Sequence, residues 1–337
     1  SHLGRLTEDT RMASSRTGAY GADDDLVDYI LCITVEIWEE GRIELIDMYY
    51  SAATVVYGVD GIVHGAAVMQ AGTRAVLAAF PDRLLLGDDV ITSGDSHRGY
   101  SSHRVLSPAT NTGESMFGPA TGKAVRFLNM ADCVIEEGVI TDEWLVRDNL
   151  ALVRQLGFSV HDSAAIMAGR QTQELKDWFG AETERLNGTD RPIGAALPHP
   201  KEHPAAFAGQ LLDALWISGD AAVLDAAYAP YAVLHRSPIE IESGRAAIAD
   251  HYAALRYSFA MTAASVDHVA TQPAGHNAEH VAVRWSACGS HSGEYLGVAA
   301  TGKPVFILGV THRRIIDGRI AVEWTVFDSL GVLAQLL

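Results

Sequence analysis

Asp148 and Asp328 each stand four residues after a tryptophan, Trp144 and Trp324, at the end of an alternating apolar run. In extended chain, residues two apart share a face, which sets each carboxylate beside its tryptophan and beside Ile140 or Ile320. A carboxylate on an apolar face is costly unless it is paired or used. In an apolar pocket its pKa rises toward neutrality, which suits it to remove a proton next to a carbonyl and return one to an oxygen. Both residues also suit helix N-caps, since Asp148-Asn149-Leu150 and Asp328-Ser329-Leu330 read as helix starts. Cap and catalyst stay open for each, and they combine only if the carboxylate points inward.

A second set lies on the neighbouring strands. Counting back across the Asp317-Gly318 turn predicts His312 near Glu323, and Asp132 near Glu143 by the same count. The first is a His–carboxylate pair; the second is an acid pair in which one member is protonated or both face water. Tyr57, His235 and His64 can hydrogen-bond a substrate oxygen or serve as satisfied rim residues. Trp144, Trp285 and Trp324 line an aromatic cavity or fill a core.

Metal chemistry is poorly supported. His199-Pro200-Lys201-Glu202-His203 and His276-Asn277-Ala278-Glu279-His280 both match H-x-x-E-H, which needs a helix to bring its imidazoles to one face. Pro200 breaks the first, and the second follows Gly275 into a strand. Gly113 and Gly118 lack the strand–glycine–helix setting of a phosphate cradle. The expectation is no metal and no cofactor.

The elements that must position these residues occur twice. Arg104–Gly157 aligns with Arg284–Leu337 without a gap at a constant offset of 180 residues (144 to 324). Thr121-Gly122-Lys123 then meets Thr301-Gly302-Lys303, Glu143-Trp144 meets Glu323-Trp324, and Gln155-Leu156 meets Gln335-Leu336. Upstream the offset slips to 178 or 179, matching Trp38 with Trp216 and Gly65 with Gly244. Each copy opens on apolar residues at helical spacing (Leu26, Ile30, Ile33, Ile37; Phe207, Leu211, Leu215), adds a second short helix ending near Tyr49 or Tyr228, and a third after Gly65 or Gly244. Strands joined by hairpins follow, with turns at Glu137-Gly138 and Asp317-Gly318. The fold class is therefore α+β, with N-terminal helices packed on a curved, mainly antiparallel sheet in each of two tandem domains. The boundaries are a mobile arm at 1–24 with a tag-like Ser1-His2, a domain at 25–158, a helical connector at 159–203 with a helix over Ala164–Leu186, and a domain at 204–337.

Composition limits the partners. A formal charge of −17 repels phosphate backbones and anionic headgroups, so neither nucleic acid nor a membrane surface is expected. Three dispersed cysteines give no disulfide framework, and the chain reads as cytoplasmic.

The motifs His291-Ser292-Gly293-Glu294-Tyr295-Leu296-Gly297, Thr301-Gly302-Lys303, Asp317-Gly318-Arg319-Ile320, Glu323-Trp324, Asp328-Ser329-Leu330-Gly331 and Gln335-Leu336, with Phe80-Pro81-Asp82 in the first half, resemble the SnoaL-like polyketide and ester cyclase family of the nuclear transport factor 2-like superfamily. The resemblance covers both halves. It implies cone-shaped domains, each with a deep apolar pocket and no cofactor, and an acidic general acid/base that closes rings by aldol chemistry. The family's polar residue one step before Asp132 and His312 is Ala131 or Thr311 here. The expected function is a cofactor-free cyclase, isomerase, lyase or hydratase on a small or medium carbonyl-containing apolar molecule, with one dominant site; the alternative is a small-molecule binding protein. The resemblance also implies an intrachain pseudo-dimer, and leaves a homodimer open.

Overall fold

A computed structural model describes residues 25–95, 97–190 and 196–337. The proposed arm at 1–24 and part of the turn-rich run after Asn187 lie outside the described residues. Two compact units emerge. Among the described residues, one holds 25–58, Ile62–Leu145 and Gln155–Phe158; the other holds Val59–Gly61, Val146–Arg154 and Ser159–Leu337. The short segment carrying Asp148 thus packs with the second unit, although it ends the first sequence repeat.

The first unit starts with α1 (Leu26–Ile33), capped by the Asp25 carboxylate on the Val27 N–H at 2.7 Å. A π-helical turn, Thr34–Glu39, continues it, and α2 (Ile46–Tyr49) leads into β1 (Tyr50–Gly58) and β2 (Gly61–His64). After α3 (Ala66–Ala79) come β3 (Leu86–Gly94), β4 (Arg98–Thr110), β5 (Ala124–Glu136) and β6 (Val139–Arg147). The sheet order is β2-β1-β6-β5-β4-β3. Pairing of β1 with β6 is parallel, while β3, β4 and β5 run antiparallel. Leu26, Ile30, Ile33 and Ile37 bury the helical stripe against Cys133, Ile135 and Ile140 of the sheet.

Next come α4 (Asn149–Leu156), α5 (Val160–Arg170) and α6 (Gln173–Asn187). The expected single connector helix is two, because Thr172 leaves the helical region and its hydroxyl caps α6 at the Leu175 N–H. The second unit then repeats the plan with α7 (Pro204–Asp213), α8 (Ala221–Ala227), β7 (Tyr228–His235), β8 (Ile241–Ser243), α9 (Arg245–Ser258), β9 (Phe259–Pro273), β10 (Ala278–His291), β11 (Pro304–Ile316), β12 (Arg319–Phe327) and α10 (Ser329–Leu336). Its order, β8-β7-β12-β11-β10-β9, copies the first sheet. Tyr228, expected at the end of a helix, opens β7 instead. Among the described residues no helix is long and apolar enough to cross a membrane.

Both predicted hairpin turns form, with Asp317 and Gly318 at φ 50° and 75° and Glu137 and Gly138 at φ 47° and 84°. Two successive positive φ values match the right-handed twist of the flanking strands. Just beyond the second turn the β11–β12 register slips by one residue, between Arg314 and Ile315. This bulge breaks the alternation along β12. Ile320 pairs with Ile315, and Glu323 with Arg313, but Trp324 pairs with His312. The expectation that Trp324 shares a face with Ile320 therefore fails.

Close packing fixes β11 against β10. A Cβ on Gly309 would stand 2.2 Å from the buried Trp285 ring, so no side chain fits there. Gly309→Ala is expected to destabilise the fold by about 1 to 3 kcal/mol, measured by urea unfolding at unchanged slope. The first repeat has Asn129 opposite Val105 at these positions and lacks the lock.

A candidate active site in the second unit

A cavity of about 130 Å³ opens on the helix side of the second sheet. Leu234 comes from the end of β7 and Arg236 from just beyond it, Thr325 and Phe327 from β12, and His251, Tyr252 and Leu255 from one face of α9. Tyr295 and Leu296 close another side, and Asp148, Leu150, Ala151 and Arg154 come from the segment after β6. The β12 set follows from strand alternation, since Glu323, Thr325 and Phe327 all face the helices once the bulge is passed.

Beneath the cavity Glu323 is fully buried and fully occupied. It accepts from Arg313 Nε at 2.7 Å, Tyr228 Oη at 2.7 Å, Tyr252 Oη at 2.9 Å and Thr325 Oγ1 at 3.0 Å. Burial alone would raise its pKa, but Arg313 and the hydroxyl donors outweigh burial and hold it below the usual value. Glu323 is therefore a fixed carboxylate that anchors the floor. Its hydroxyl donors Tyr252 and Thr325 are also wall residues.

Asp148 is held differently. Its Oδ1 accepts the Ala151 N–H at 3.1 Å, capping α4, while its buried Oδ2 has no hydrogen-bond partner. Burial pushes the carboxyl up to about 7; the Ala151 N–H pulls it down, Glu240 raises it, and Arg154 and Arg236 lower it. One oxygen caps and the other is buried without a partner in a side chain of the cavity wall, so the cap occupies only one of the two oxygens. Beside it the His251 imidazole is pushed down to about 4, chiefly by burial and then by Arg236. It is neutral at pH 7 and able to donate or accept. Around the rim Arg154 meets Glu240 at 2.8 Å, and Arg236 meets Glu240 at 3.3 Å and Glu242 at 2.8 Å. Arg236 Nε is buried without a hydrogen-bond partner.

Asp328 is satisfied on both oxygens: Oδ1 accepts the Gly331 N–H at 3.0 Å and Oδ2 accepts from Asn149 Nδ2 at 2.7 Å. Burial and the nearby Asp60 carboxylate raise its pKa to about 7, against the pull of those two donors. It does not line the cavity. Because asparagine also caps helices well, Asp328→Asn is expected to change turnover less than about tenfold, whereas loss of turnover on the scale of an Asp148 substitution would place the chemistry at Asp328.

The remaining sequence candidates lie elsewhere. His312 sits across from Trp324, not Glu323, because of the bulge, and Arg313 takes the carboxylate partner's place. Asp132 accepts from the hydroxyls of Tyr100 and Ser102. Glu143 instead accepts from Tyr50 Oη at 3.2 Å, within the helix-side core. The predicted acid pair is therefore divided between opposite faces of the sheet. Tyr57 stacks on Trp144 at 5.4 Å, and His235 on Trp324 at 5.4 Å, in each case on the sheet face away from the helices. His64 is exposed at the end of β2. Trp285 is core: it packs on Trp216 at 5.1 Å and on Phe327 at 6.5 Å, and its Nε1 donates to Thr311 Oγ1 at 3.0 Å.

Sequence reasoning missed Arg236, Glu240, His251, Tyr252 and Tyr295. The repeat offered a signal for four of them. At the offsets already found, Arg236, His251, Tyr252 and Tyr295 stand where the first half has Gly58, Gly72, Thr73 and Ser115.

No curated protein matches the sequence. Among solved structures, TsrD from Streptomyces laurentii is 23% identical over 40% of this chain and 98% of its own, with a TM-score of 0.36. A SnoaL-like polyketide cyclase from Agrobacterium tumefaciens is 20% identical over 40% of this chain and 99% of its own, with a TM-score of 0.34. A loop-truncation variant of IdmH is 26% identical over 41% of this chain and 99% of its own, with a TM-score of 0.32. The sequence model of the SnoaL-like polyketide cyclases matches residues 30–156 and again 206–336, one match in each repeat. The chain belongs to the SnoaL-like polyketide cyclase family, as a tandem of two such domains.

Proposed function

We propose that the second unit is a cofactor-free acid–base site acting on a carbonyl-containing apolar molecule, with Asp148 as general acid and base. A carboxyl with a pKa of about 7 is present in both protonation states at neutral pH. As carboxylate, Asp148 Oδ2 removes a proton from the carbon next to the carbonyl; as acid, it returns that proton to the alkoxide or to carbon. Neutral His251 and the unpartnered Arg236 Nε are the donors suited to the substrate oxygen as negative charge develops. Ring closure, isomerisation, elimination and hydration all share these two proton transfers.

The observation that carries this reading is the buried, unpartnered Asp148 Oδ2 on the wall of the cavity. A carboxylate kept there costs stability unless a ligand uses it. The test needs no known substrate: small cyclic monoketones, whose protons next to the carbonyl exchange slowly in neutral buffer, are incubated in D2O, and that exchange is followed by NMR. Exchange above the buffer rate is expected for the wild type and not for Asp148→Asn. Equal exchange by both proteins would contradict the assignment.

A further inference from the structure

The dimensions of this cavity and the rigidity of its walls narrow the substrate, given the acid–base reading above. Its volume of about 130 Å³ is close to the roughly 150 Å³ apolar cavity that takes up one benzene molecule. It falls below the roughly 300 to 1,000 Å³ of pockets for drug-sized ligands. Nor do the walls yield easily. Tyr252 is tied to Glu323 at 2.9 Å, Phe327 packs edge-on to Trp216 at 5.5 Å, and Tyr295 packs on Phe259 at 4.6 Å. Packed side chains of this kind have little room to move outward.

Charge narrows the class again. The rim cations Arg154 and Arg236 are matched by Glu240 and Glu242, which leaves no surplus positive charge to hold a permanently anionic ligand. Leu150, Leu234, Leu255, Leu296 and Phe327 supply apolar wall beside the uncharged polar groups of Ser329, Thr325, Tyr252 and His251, a mixture that suits a neutral molecule with one polar end. We propose that the site takes an uncharged, single-ring-sized carbonyl compound of roughly six to ten non-hydrogen atoms, with its reacting carbon at Asp148 Oδ2 and no space for a second fused ring.

Phenol, 2-naphthol and 2-hydroxyanthracene form a graded probe series that mimics an enol on one, two and three rings. Binding to the full chain is measured by calorimetry and ligand-observed NMR. Phenol should bind, 2-naphthol at least about tenfold more weakly, and the three-ring probe not at all. Leu255→Phe and Leu150→Phe, each first shown to be folded by circular dichroism, should both lose phenol binding by about tenfold or more. Equal or tighter binding of the three-ring probe overturns the size class, as does absence of phenol binding or phenol binding that both filled variants retain. The failure of the acid–base reading looks different: proton exchange then persists in Asp148→Asn while the size preference stays intact.

Discussion

Asp148→Asn should lower turnover by about two to four orders of magnitude while leaving the protein folded and, above pH 7, more stable than the wild type. Asparagine keeps an oxygen to accept the Ala151 N–H, so the start of α4 is preserved. What disappears is the proton that Oδ2 takes and gives. The stability gain follows from the raised pKa. The folded state prefers the protonated carboxyl, at about 7 against an ordinary 3.8. That contribution is present in full below the ordinary value and is lost as pH rises through about 7, up to about 4 kcal/mol. The variant has no carboxylate to force into the apolar wall. Urea unfolding should therefore give equal stabilities below pH 4 and a widening advantage for the variant up to pH 8. Some decline will remain in the variant, because Asp328 is raised by burial and Asp60 and contributes with the same sign.

Arg313→Met should be the most damaging single substitution in the second unit. Its Nε donates to Glu323 Oε2 at 2.7 Å, and both side chains are almost completely buried, at 4% and 0% exposure. Removing the cation leaves a buried carboxylate with only hydroxyl donors, at a cost of about 3 to 5 kcal/mol. Burial then dominates and raises the Glu323 pKa above its unfolded value, so the variant recovers stability as pH falls through that raised pKa. Arg313→Met combined with Glu323→Gln should regain part of the loss at neutral pH, because a neutral amide needs no counter-charge. Urea unfolding of both variants at pH 5 and pH 8 checks the pattern. Equal losses at the two pH values would mean that the arginine acts through packing alone. The first repeat has Cys133 at the corresponding position, with the thiol pushed up by burial and by Glu143. Divergence of the two interiors thus extends beneath the cavity as well as around it.

Most of the architecture was legible because it is encoded locally. Helical spacing in Leu26, Ile30 and Ile33, the paired turn residues at Asp317-Gly318, and the constant offset between repeats each report on a few neighbouring residues. The burial of Asp148 and of Asp328 was legible as well, since a carboxylate closing an apolar strand is conspicuous. Register was not. One extra residue in β12, Ala321, puts Arg313 in place of His312 as the partner of Glu323, and nothing between Ile320 and Val322 signals the slip. The cavity escaped for a different reason: its wall joins α9, β7 and β12 to a segment far upstream of β7 in sequence, at Asp148–Arg154. Such a meeting is a tertiary fact. Comparing the repeats position by position would nonetheless have marked His251 and Tyr252 against Gly72 and Thr73.

The most direct test is the titration of Asp148 itself. Infrared difference spectroscopy detects the C=O stretch of a protonated carboxyl. Recording the Asp148 titration in Asp328→Asn removes the overlapping Asp328 band, whereas Asp148→Asn would also shift Asp328, which the Asp148 charge helps to raise. The band is expected to persist to neutrality and disappear with a midpoint near 7, as burial dictates. A midpoint near the ordinary carboxylate value would mean that Asp148 is solvated or paired, and would contradict its role as the acid and base of this site.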